Sequence, residues 1–246
     1  MIYVAATCPH CKSTNIKKHG VSTVGKQRYA CKSCKKTFQF DYSYVACDPS
    51  TRSKIYFQTI NGSGTRAIAR TLNINRNTVT STLKSFEAML WHVNYDYLTE
   101  LCEQDVEVDV VSGTEAEMDE MWSFVHDKSQ QYWLWWAIDH NTGVPLAFCF
   151  GTREHKYLEE LKAMVEDFNI TTIFTDGNPA YQEFITECEL VIGKRDTQKI
   201  ERKHLSLRTW CSRLVRKGIR FSKCHVMHFI VVSLVINFWF FNRVLV

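Results

Sequence analysis

Two C-x2-C pairs near the start of this 246-residue chain constrain its fold more than any other feature. Cys8 and Cys11 form one pair, Cys31 and Cys34 form the other, and 19 residues lie between the pairs. Four thiolates at this spacing can close a tetrahedral Zn²⁺ site while the residues between them form a hairpin. A module of fewer than about 50 residues buries too little apolar surface to fold unaided, so a structural metal is also expected on energetic grounds. The sequence therefore predicts a zinc ribbon over residues 1–48.

Other interpretations of these cysteines are redox-active or disulfide-bonded pairs. His10 and His19 could each replace a cysteine ligand, but a complete set of four cysteines makes this unnecessary. The other six of the ten cysteines are scattered, a pattern typical of a reducing compartment with one metal site rather than of a secreted disulfide scaffold. The N-terminus lacks the features of a signal peptide. We therefore expect a cytoplasmic, nucleoid-associated protein.

Charge is distributed unevenly along the chain, although the net charge is only +4. Residues 1–100 carry 14 Lys and Arg against five Asp and Glu, residues 101–200 carry seven against 20, and residues 201–246 carry nine against one. Basic segments at both ends favour a polyanionic partner such as nucleic acid. The carboxylate-rich centre suits the binding of metal ions.

Residues 49–95 follow the pattern of a helix-turn-helix DNA-binding domain, centred on NGSGTRAIARTLNINRNTVTSTLKSF. Thr65 is predicted to cap a short helix, Asn73–Asn75 make the turn, and Val79 and Leu83 are the buried positions of a second helix that starts near Arg76. A second helix of this kind presents its N-terminal side chains to the major groove. The polar residues predicted to read base edges are Arg76, Asn77, Thr78 and Thr80. The alternative is a helical hairpin that does not bind DNA.

From about residue 106 onward, short apolar runs alternate with amphipathic stretches, as in an α/β domain. Three consecutive strands joined by short turns predict an antiparallel meander. Further strands then alternate with helices. The predicted elements are strands over residues 117–124, 132–138 and 144–150, a helix over 153–168, a strand over 170–175, a helix to about 187, a strand over 190–192, and a long basic helix over about 198–217.

This order of elements is that of the ribonuclease H-like fold. In that layout a carboxylate in the first strand lies beside one at the end of the fourth, and a third on a later helix completes a pocket for two divalent cations. Asp119, Asp176 and Glu201 occupy those three places. The choice in the first strand is open, because Glu117 shares the face of Asp119 and Glu115 is near. We predict a ribonuclease H-like catalytic domain over residues 106–246.

Three motifs of this domain resemble those of transposases of the insertion-sequence-one type, a bacterial group within the DDE (Asp-Asp-Glu) superfamily. They are MDEMWSFV around Asp119, FTDGNPAY around Asp176 and TQKIERKHLSLRTW around Glu201. Twenty-four residues separate Asp176 from Glu201, as in that group, and Arg208 matches a basic residue usual in the superfamily. Together with the zinc ribbon and the helix-turn-helix, the resemblance covers nearly the whole chain.

The resemblance implies a DNA transposase that binds the ends of its insertion sequence and catalyses metal-dependent DNA cleavage and strand transfer. Asp119, Asp176 and Glu201 would hold Mg²⁺ or Mn²⁺, and Arg208 would contact DNA. The implied partners are double-stranded DNA, as element ends and as target, and further copies of the chain in a homo-oligomer on DNA. One alternative is another ribonuclease H-like nuclease or a catalytically silent DNA-binding relative. Another is a zinc-dependent DNA-binding transcription regulator without catalysis.

The segment Val226–Phe241 carries no Asp, Glu, Lys or Arg. A helix that spans a membrane needs about 20 apolar residues, and His228, Ser233 and Asn237 interrupt this shorter run. The sequence therefore predicts a buried terminal helix and no membrane contact.

Overall fold

The computed structural model describes residues 6–42, 44–105 and 114–246. Its N-terminal part is a three-stranded antiparallel sheet of β1 (Ile16–Val21), β2 (Gln27–Cys31) and β3 (Thr37–Phe38). β1 and β2 form the hairpin predicted between the two cysteine pairs. The buried core of this sheet consists of Phe38, Cys8 and Cys31. So small a core cannot stabilise the module without a further link such as a metal.

Three helices follow, and they are α1 (Ser50–Ile60), α2 (Thr65–Leu72) and α3 (Arg76–Lys84). Asn73 ends α2 in the left-handed conformation with φ 52°, which Asn tolerates better than most residues. Asn75 then caps α3, because its side chain accepts a hydrogen bond of 2.8 Å from the backbone N–H of Asn77. The predicted cap at Thr65 is wrong, since α2 begins at Thr65 itself and the extended Gly64 precedes it.

The rest of the chain forms one mixed sheet with helices on both faces. Its strands are β4 (Thr114–Phe124), β5 (Gln131–Asp139), β6 (Pro145–Gly151), β7 (Ile170–Thr175) and β8 (Glu189–Ile192). The helices are α4 (Tyr95–Asp105), α5 (His155–Val165), α6 (Pro179–Phe184), α7 (Gln198–Trp210) and α8 (His225–Trp239). The strand order is β6-β5-β4-β7-β8. β4, β5 and β6 form the predicted antiparallel meander, and β7 and β8 extend it in parallel.

Alternate residues of the central strands face two separate hydrophobic cores. Met118 and Trp135 lie in the core beneath α5, whereas Met121 and Trp136 lie in the core beneath α7 and α8. The side chains of β4 therefore divide as their alternation predicts. This places Asp119 on the face that α7 covers.

The apolar segment near the C-terminus is the predicted buried helix, α8, of which ten residues are buried. Among the described residues, no helix has the length and apolar character needed to cross a membrane. Residues of α1, α3, the sheet and α8 share one hydrophobic core, represented by Ile55, Val79, Trp136 and Val232. The helix-turn-helix is thus packed onto the sheet unit through α8.

The basic helix predicted over residues 198–217 ends earlier than expected. α7 stops at Trp210, Cys211 takes an extended backbone, and a 3₁₀ turn covers Ser212–Leu214. The spacing of buried residues continues past that point and is helical, which is why the sequence favours a longer helix. Two tertiary contacts accompany the break. The Ser212 hydroxyl donates a 2.9 Å hydrogen bond to the Gly62 carbonyl, and the Trp210 ring stacks on Trp239 with 4.8 Å between centroids.

Candidate active site and metal centres

The four cysteines of the predicted zinc site lie together. Their Sγ atoms are all within 4.8 Å of one another, with 3.7 Å between Cys8 and Cys34 and 3.6 Å between Cys11 and Cys31. Four sulfurs bound at about 2.3 Å to a tetrahedral zinc ion would stand roughly 3.8 Å apart. The set therefore fits structural zinc. Within the part of the chain that the structure describes, it is the one group of His, Cys, Asp or Glu ligands that is so compact.

Both cysteine pairs have the same backbone turn. Lys12 and Lys35 directly follow the second cysteine of each pair and have φ values of 59° and 61°. A backbone hydrogen bond from Cys34 is the main cause that lowers the pKa of the Cys31 thiol to about 6. The thiolate is the form that binds zinc. At Cys11 a backbone hydrogen bond from Ser13 acts in the same direction, but burial and hydrogen bonds with the neighbouring thiols outweigh it and raise the pKa to about 11. The turn therefore favours the thiolate at Cys31.

Asp119 and Asp176 lie on neighbouring strands. β4 and β7 are parallel, and Glu117 is the register partner of Phe174. Asp119 follows Glu117 by two residues within β4, and Asp176 follows Phe174 by two residues and comes directly after β7. Glu201 lies in the first turn of α7, which packs against β4. The structure therefore brings acids from three distant segments to one region of the sheet.

Asp119 is the buried member of this group, with 9% of its surface exposed, whereas Asp176 and Glu201 are exposed. Burial raises the pKa of Asp119 to about 8, and the charges of Glu120, Asp176 and Glu201 add to the effect. Asp176 and Glu201 therefore lie within electrostatic reach of Asp119. A cation between such groups favours their ionised forms.

Glu117, the alternative acid in β4, uses both of its carboxylate oxygens in contacts with other residues. It is 1% exposed, and its Oε2 accepts a 2.9 Å hydrogen bond from the backbone N–H of Ile200 in the first turn of α7. Its Oε1 lies 3.1 Å from His140 Nδ1. Burial raises the pKa of Glu117. The side chain thus fixes the start of α7, and with it Glu201, against β4.

Glu120 points to the opposite face and holds the loop that follows β7. Its Oε1 accepts hydrogen bonds from Asn178 Nδ2 (2.7 Å) and Arg153 Nη2 (3.0 Å), and its Oε2 accepts one from the Tyr181 hydroxyl (3.1 Å). Asn178 belongs to the same turn as Asp176, so this network supports the position of Asp176. The sequence did not predict these partners. The Asp-Gly-Asn-Pro turn gives a local signal for Asn178, but Arg153 and Tyr181 meet Glu120 only through the fold.

His204 lies between Asp119 and the buried core. Trp136 Nε1 donates a 2.7 Å hydrogen bond to His204 Nε2, so the proton of the neutral ring resides on Nδ1, which is 3.5 Å from Asp119 Oδ2. Burial, with a contribution from Arg208 and Arg216, lowers the pKa of His204 to about 3. The neutral imidazole therefore faces Asp119 with its N–H. The sequence places His204 on the face of Glu201, but it carries no sign of the Trp136 contact.

Arg208 follows Glu201 by two helical turns and is half-buried. Burial is the main cause that lowers the pKa of its guanidinium, while the nearby Asp119 acts in the opposite direction. Its buried Nε has no hydrogen-bond acceptor among the residues that the structure describes. The guanidinium thus lies within electrostatic reach of Asp119 and has an N–H donor at Nε without an acceptor.

The predicted DNA-reading residues begin α3. Arg76 and Asn77 are exposed, whereas Thr78 and Thr80 are half-buried. The Thr80 hydroxyl donates a 3.0 Å hydrogen bond to the Asn77 carbonyl, which leaves Arg76 and Asn77 as the prominent side chains at this end. Val79 was predicted to be buried, and its side chain is fully buried.

Three segments of the chain match models of known protein families. Residues 1–35 match the InsA N-terminal domain, a zinc ribbon, and residues 42–87 match the InsA C-terminal domain, a helix-turn-helix. Residues 113–242, which include α8, match the IS1 transposase model. The zinc ribbon, the DNA-binding helices and the α/β unit are therefore those of a DNA transposase. The chain belongs to the IS1 transposase family, and a transcription regulator is not favoured.

Several curated relatives each match about half of the chain. The chain is 42% identical over 113 residues to the insertion element iso-IS1n protein InsB of Shigella dysenteriae. The matched region covers 46% of this chain and 86% of that protein. The chain is 40% identical over 122 residues to the insertion element IS1 protein InsB of Shigella flexneri. This matched region covers 50% of this chain and 93% of that protein.

Two solved structures are more distant. One is the simian T-cell lymphotropic virus intasome in complex with PP2A regulatory subunit B56 gamma, with TM-score 0.37, 13% identity and coverage of 75% of this chain and 67% of that one. The other is the Mos1 mariner paired end complex with Mn, with TM-score 0.34, 11% identity and coverage of 85% and 75%.

Proposed function

We propose that residues 106–246 form a ribonuclease H-like DDE domain in which Asp119, Asp176 and Glu201 hold two Mg²⁺ or Mn²⁺ ions. In this proposal a zinc ribbon over residues 1–48 and a helix-turn-helix over residues 49–95 bind the ends of the insertion sequence. The observation that supports it most is the parallel register of β4 and β7, in which Glu117 pairs with Phe174 and Asp119 and Asp176 each follow two residues later. The strand order β6-β5-β4-β7-β8 also agrees with the predicted layout.

Asp119 is favoured over the two other acids of β4. Glu117 is buried and committed to the start of α7 and to His140. Glu115 stands four residues before Asp119, which is about 13 Å along a strand. The three proposed ligands are less compact than the four cysteines. Because Asp176 and Glu201 are exposed, their side chains can turn toward the buried Asp119.

The proposed chemistry is phosphoryl transfer on DNA. When bound, two divalent ions activate the attacking oxygen and stabilise the leaving oxygen of an in-line displacement. Water attacks when an end is cut, and the freed 3′-hydroxyl attacks when that end joins the target, so no protein nucleophile is required. Glu117 and Glu120 hold Glu201 and Asp176 in place. Since an element has two ends and each chain carries one such set of acids, we also propose a homo-oligomer on DNA.

The affinity of the transposase for Mn²⁺ is expected to rise with pH. Because burial and neighbouring charges raise the pKa of Asp119 to about 8, this carboxyl is protonated below that pH, and a metal must displace the proton. Affinity should increase by up to about tenfold per pH unit and level off above about pH 8. Isothermal titration calorimetry of the zinc-loaded full chain with Mn²⁺ at several pH values measures this affinity. Affinity that is constant between about pH 6 and 8 would contradict the role of Asp119, and Asp119→Asn should bind weakly throughout.

Replacement of Arg208 by Ala is expected to reduce strand transfer strongly. Its spare donors suit a phosphate of the DNA end, and loss of one charge-assisted contact costs about 1.5–3 kcal/mol, or roughly 10- to 150-fold. Mn²⁺ affinity should not change, because a cation is not a ligand. Arg202→Ala, which removes an exposed arginine of the same helix, is the matched control. Full joining activity or loss of Mn²⁺ binding in Arg208→Ala would show that Arg208 has another role.

A further inference from the structure

A groove separates the N-terminal ends of α2 and α3 from the segment that precedes α8. Arg66, Arg76 and Asn77 lie on one wall, and Arg220 and Lys223 lie on the other. Five Arg or Lys side chains line the groove, and no Asp or Glu lies among the residues that line it. A concave surface with charges of one sign concentrates the potential that attracts a polyanion.

Four of the five cations of this groove are not used to hold the protein together, whereas the half-buried Arg213 donates a 3.2 Å hydrogen bond to the Ser222 hydroxyl. Arg66, Arg76, Arg220 and Lys223 are exposed, and none of them forms an ion pair within the described part of the chain. Arg153, by contrast, is paired with the buried Glu120. Four unpaired charges directed at one concavity are typical of a phosphate-binding surface.

The second wall is anchored to the strand that carries Asp119. The backbone N–H of His126, two residues after the end of β4, donates a 2.7 Å hydrogen bond to the carbonyl of the fully buried Ser222. The ring of Phe221 lies 5.4 Å from that of Phe124 in β4. Residues 221 and 222 are therefore fixed to β4, while their neighbours Arg220 and Lys223 face the groove.

The first wall is fixed to the same body. Val79 and Leu83 of α3 lie in the hydrophobic core that they share with α8, and α8 begins directly after the second wall. The two walls therefore cannot move apart without opening that core.

We propose that Arg220 and Lys223 bind phosphates of the DNA end next to the bases read by α3, so that α3 and a segment anchored to β4 hold the same duplex. This rests on the proposed assignment of Arg76 and Asn77 to base contacts. The fold then sets the distance between the recognised bases and the strand of Asp119. Sequence recognition and the position of the catalytic acids are linked by structure rather than by a flexible tether.

The test is the salt dependence of binding by the full chain to a duplex that carries the element end. In the double variant Arg220→Ala/Lys223→Ala, the slope of log affinity against log salt concentration should become shallower by about two, because each phosphate contact contributes about 0.9. Affinity at fixed salt should fall by about tenfold or more, equally for the correct and for a mutated end, since phosphate contacts carry no sequence information. The charge-preserving variant Arg220→Lys/Lys223→Arg should keep the slope.

Two comparisons separate this inference from the proposed function. Lys128→Ala/Lys156→Ala removes the same charge from exposed positions outside the groove and outside the proposed DNA-binding segments, and it should change the slope much less. Arg76→Ala should reduce discrimination between the correct and mutated ends. If Arg76→Ala has that effect while Arg220→Ala/Lys223→Ala matches the wild type, the second wall does not bind DNA and the inference fails. If Arg76→Ala leaves discrimination intact, the assignment of α3 itself is wrong.

Discussion

Strand transfer by the variant Asp176→Ala is expected to fall by about 10³-fold or more, while binding to the element ends stays close to the wild-type level. Asp176 is exposed and follows the end of β7, so its truncation leaves no cavity in the core. The lost carboxylate is a metal ligand in the proposed site. Loss of metal support for both the attacking and the leaving oxygen removes the main stabilisation of the transition state. Joining of a labelled end duplex to plasmid DNA in Mg²⁺ measures the effect.

A matched control for this variant is Asp167→Ala, which removes an exposed carboxylate from the 3₁₀ turn after α5. It should join ends at the wild-type rate. Substantial joining by Asp176→Ala, or an equal loss in Asp167→Ala, would show that Asp176 is not a ligand. Binding to ends, measured in the same preparations, separates a loss of chemistry from a loss of the DNA complex.

The second large effect is expected from Cys31→Ser. Structural zinc sites contribute apparent binding free energies of about 10–16 kcal/mol that are available only to the folded module. The ribbon otherwise has a core of Phe38 and two cysteines, so it should unfold when one of its four ligands is lost. The sheet unit has its own cores and should remain folded. Elemental analysis should find one zinc ion per wild-type chain, and limited proteolysis should cut the variant within its first 45 or so residues.

Cys47→Ser provides the comparison, because Cys47 is an exposed thiol outside the compact sulfur group. It should retain zinc and resist proteolysis as the wild type does. A Cys31→Ser protein that keeps a protected N-terminus, or a wild-type protein that is ordered there without metal, would contradict the structural role of zinc.

Local patterns were sufficient to predict the parts of this molecule in which neighbouring residues determine the structure. The spacing of the cysteine pairs indicated one sulfur cluster, and Asn75 and Val79 marked the start and the buried face of α3. The placement of Asp119 in a strand and Asp176 directly after another also followed from alternation and turn residues.

Contacts between distant segments were outside the reach of the sequence. Nothing near Glu117 indicates that it binds the backbone of Ile200, 83 residues later, and nothing near His204 indicates its bond to Trp136. The length of α7 was overestimated because helical spacing continues beyond Trp210, whereas tertiary contacts around Gly62 accompany the break. The uncharged tail was predicted to be buried, but only the structure shows that it joins the DNA-binding helices to the sheet.

The most direct test of the proposed three-acid site is strand transfer by the wild-type, zinc-loaded chain with its own element ends and a target plasmid. Reactions without added divalent ion should bind the ends but yield no joined product, and addition of Mg²⁺ or Mn²⁺ should produce 3′ ends covalently linked to the target. Protein should remain unlinked to DNA throughout. Joining that proceeds equally well without added divalent ion, or that passes through a covalent protein–DNA adduct, would contradict a metal site built from Asp119, Asp176 and Glu201.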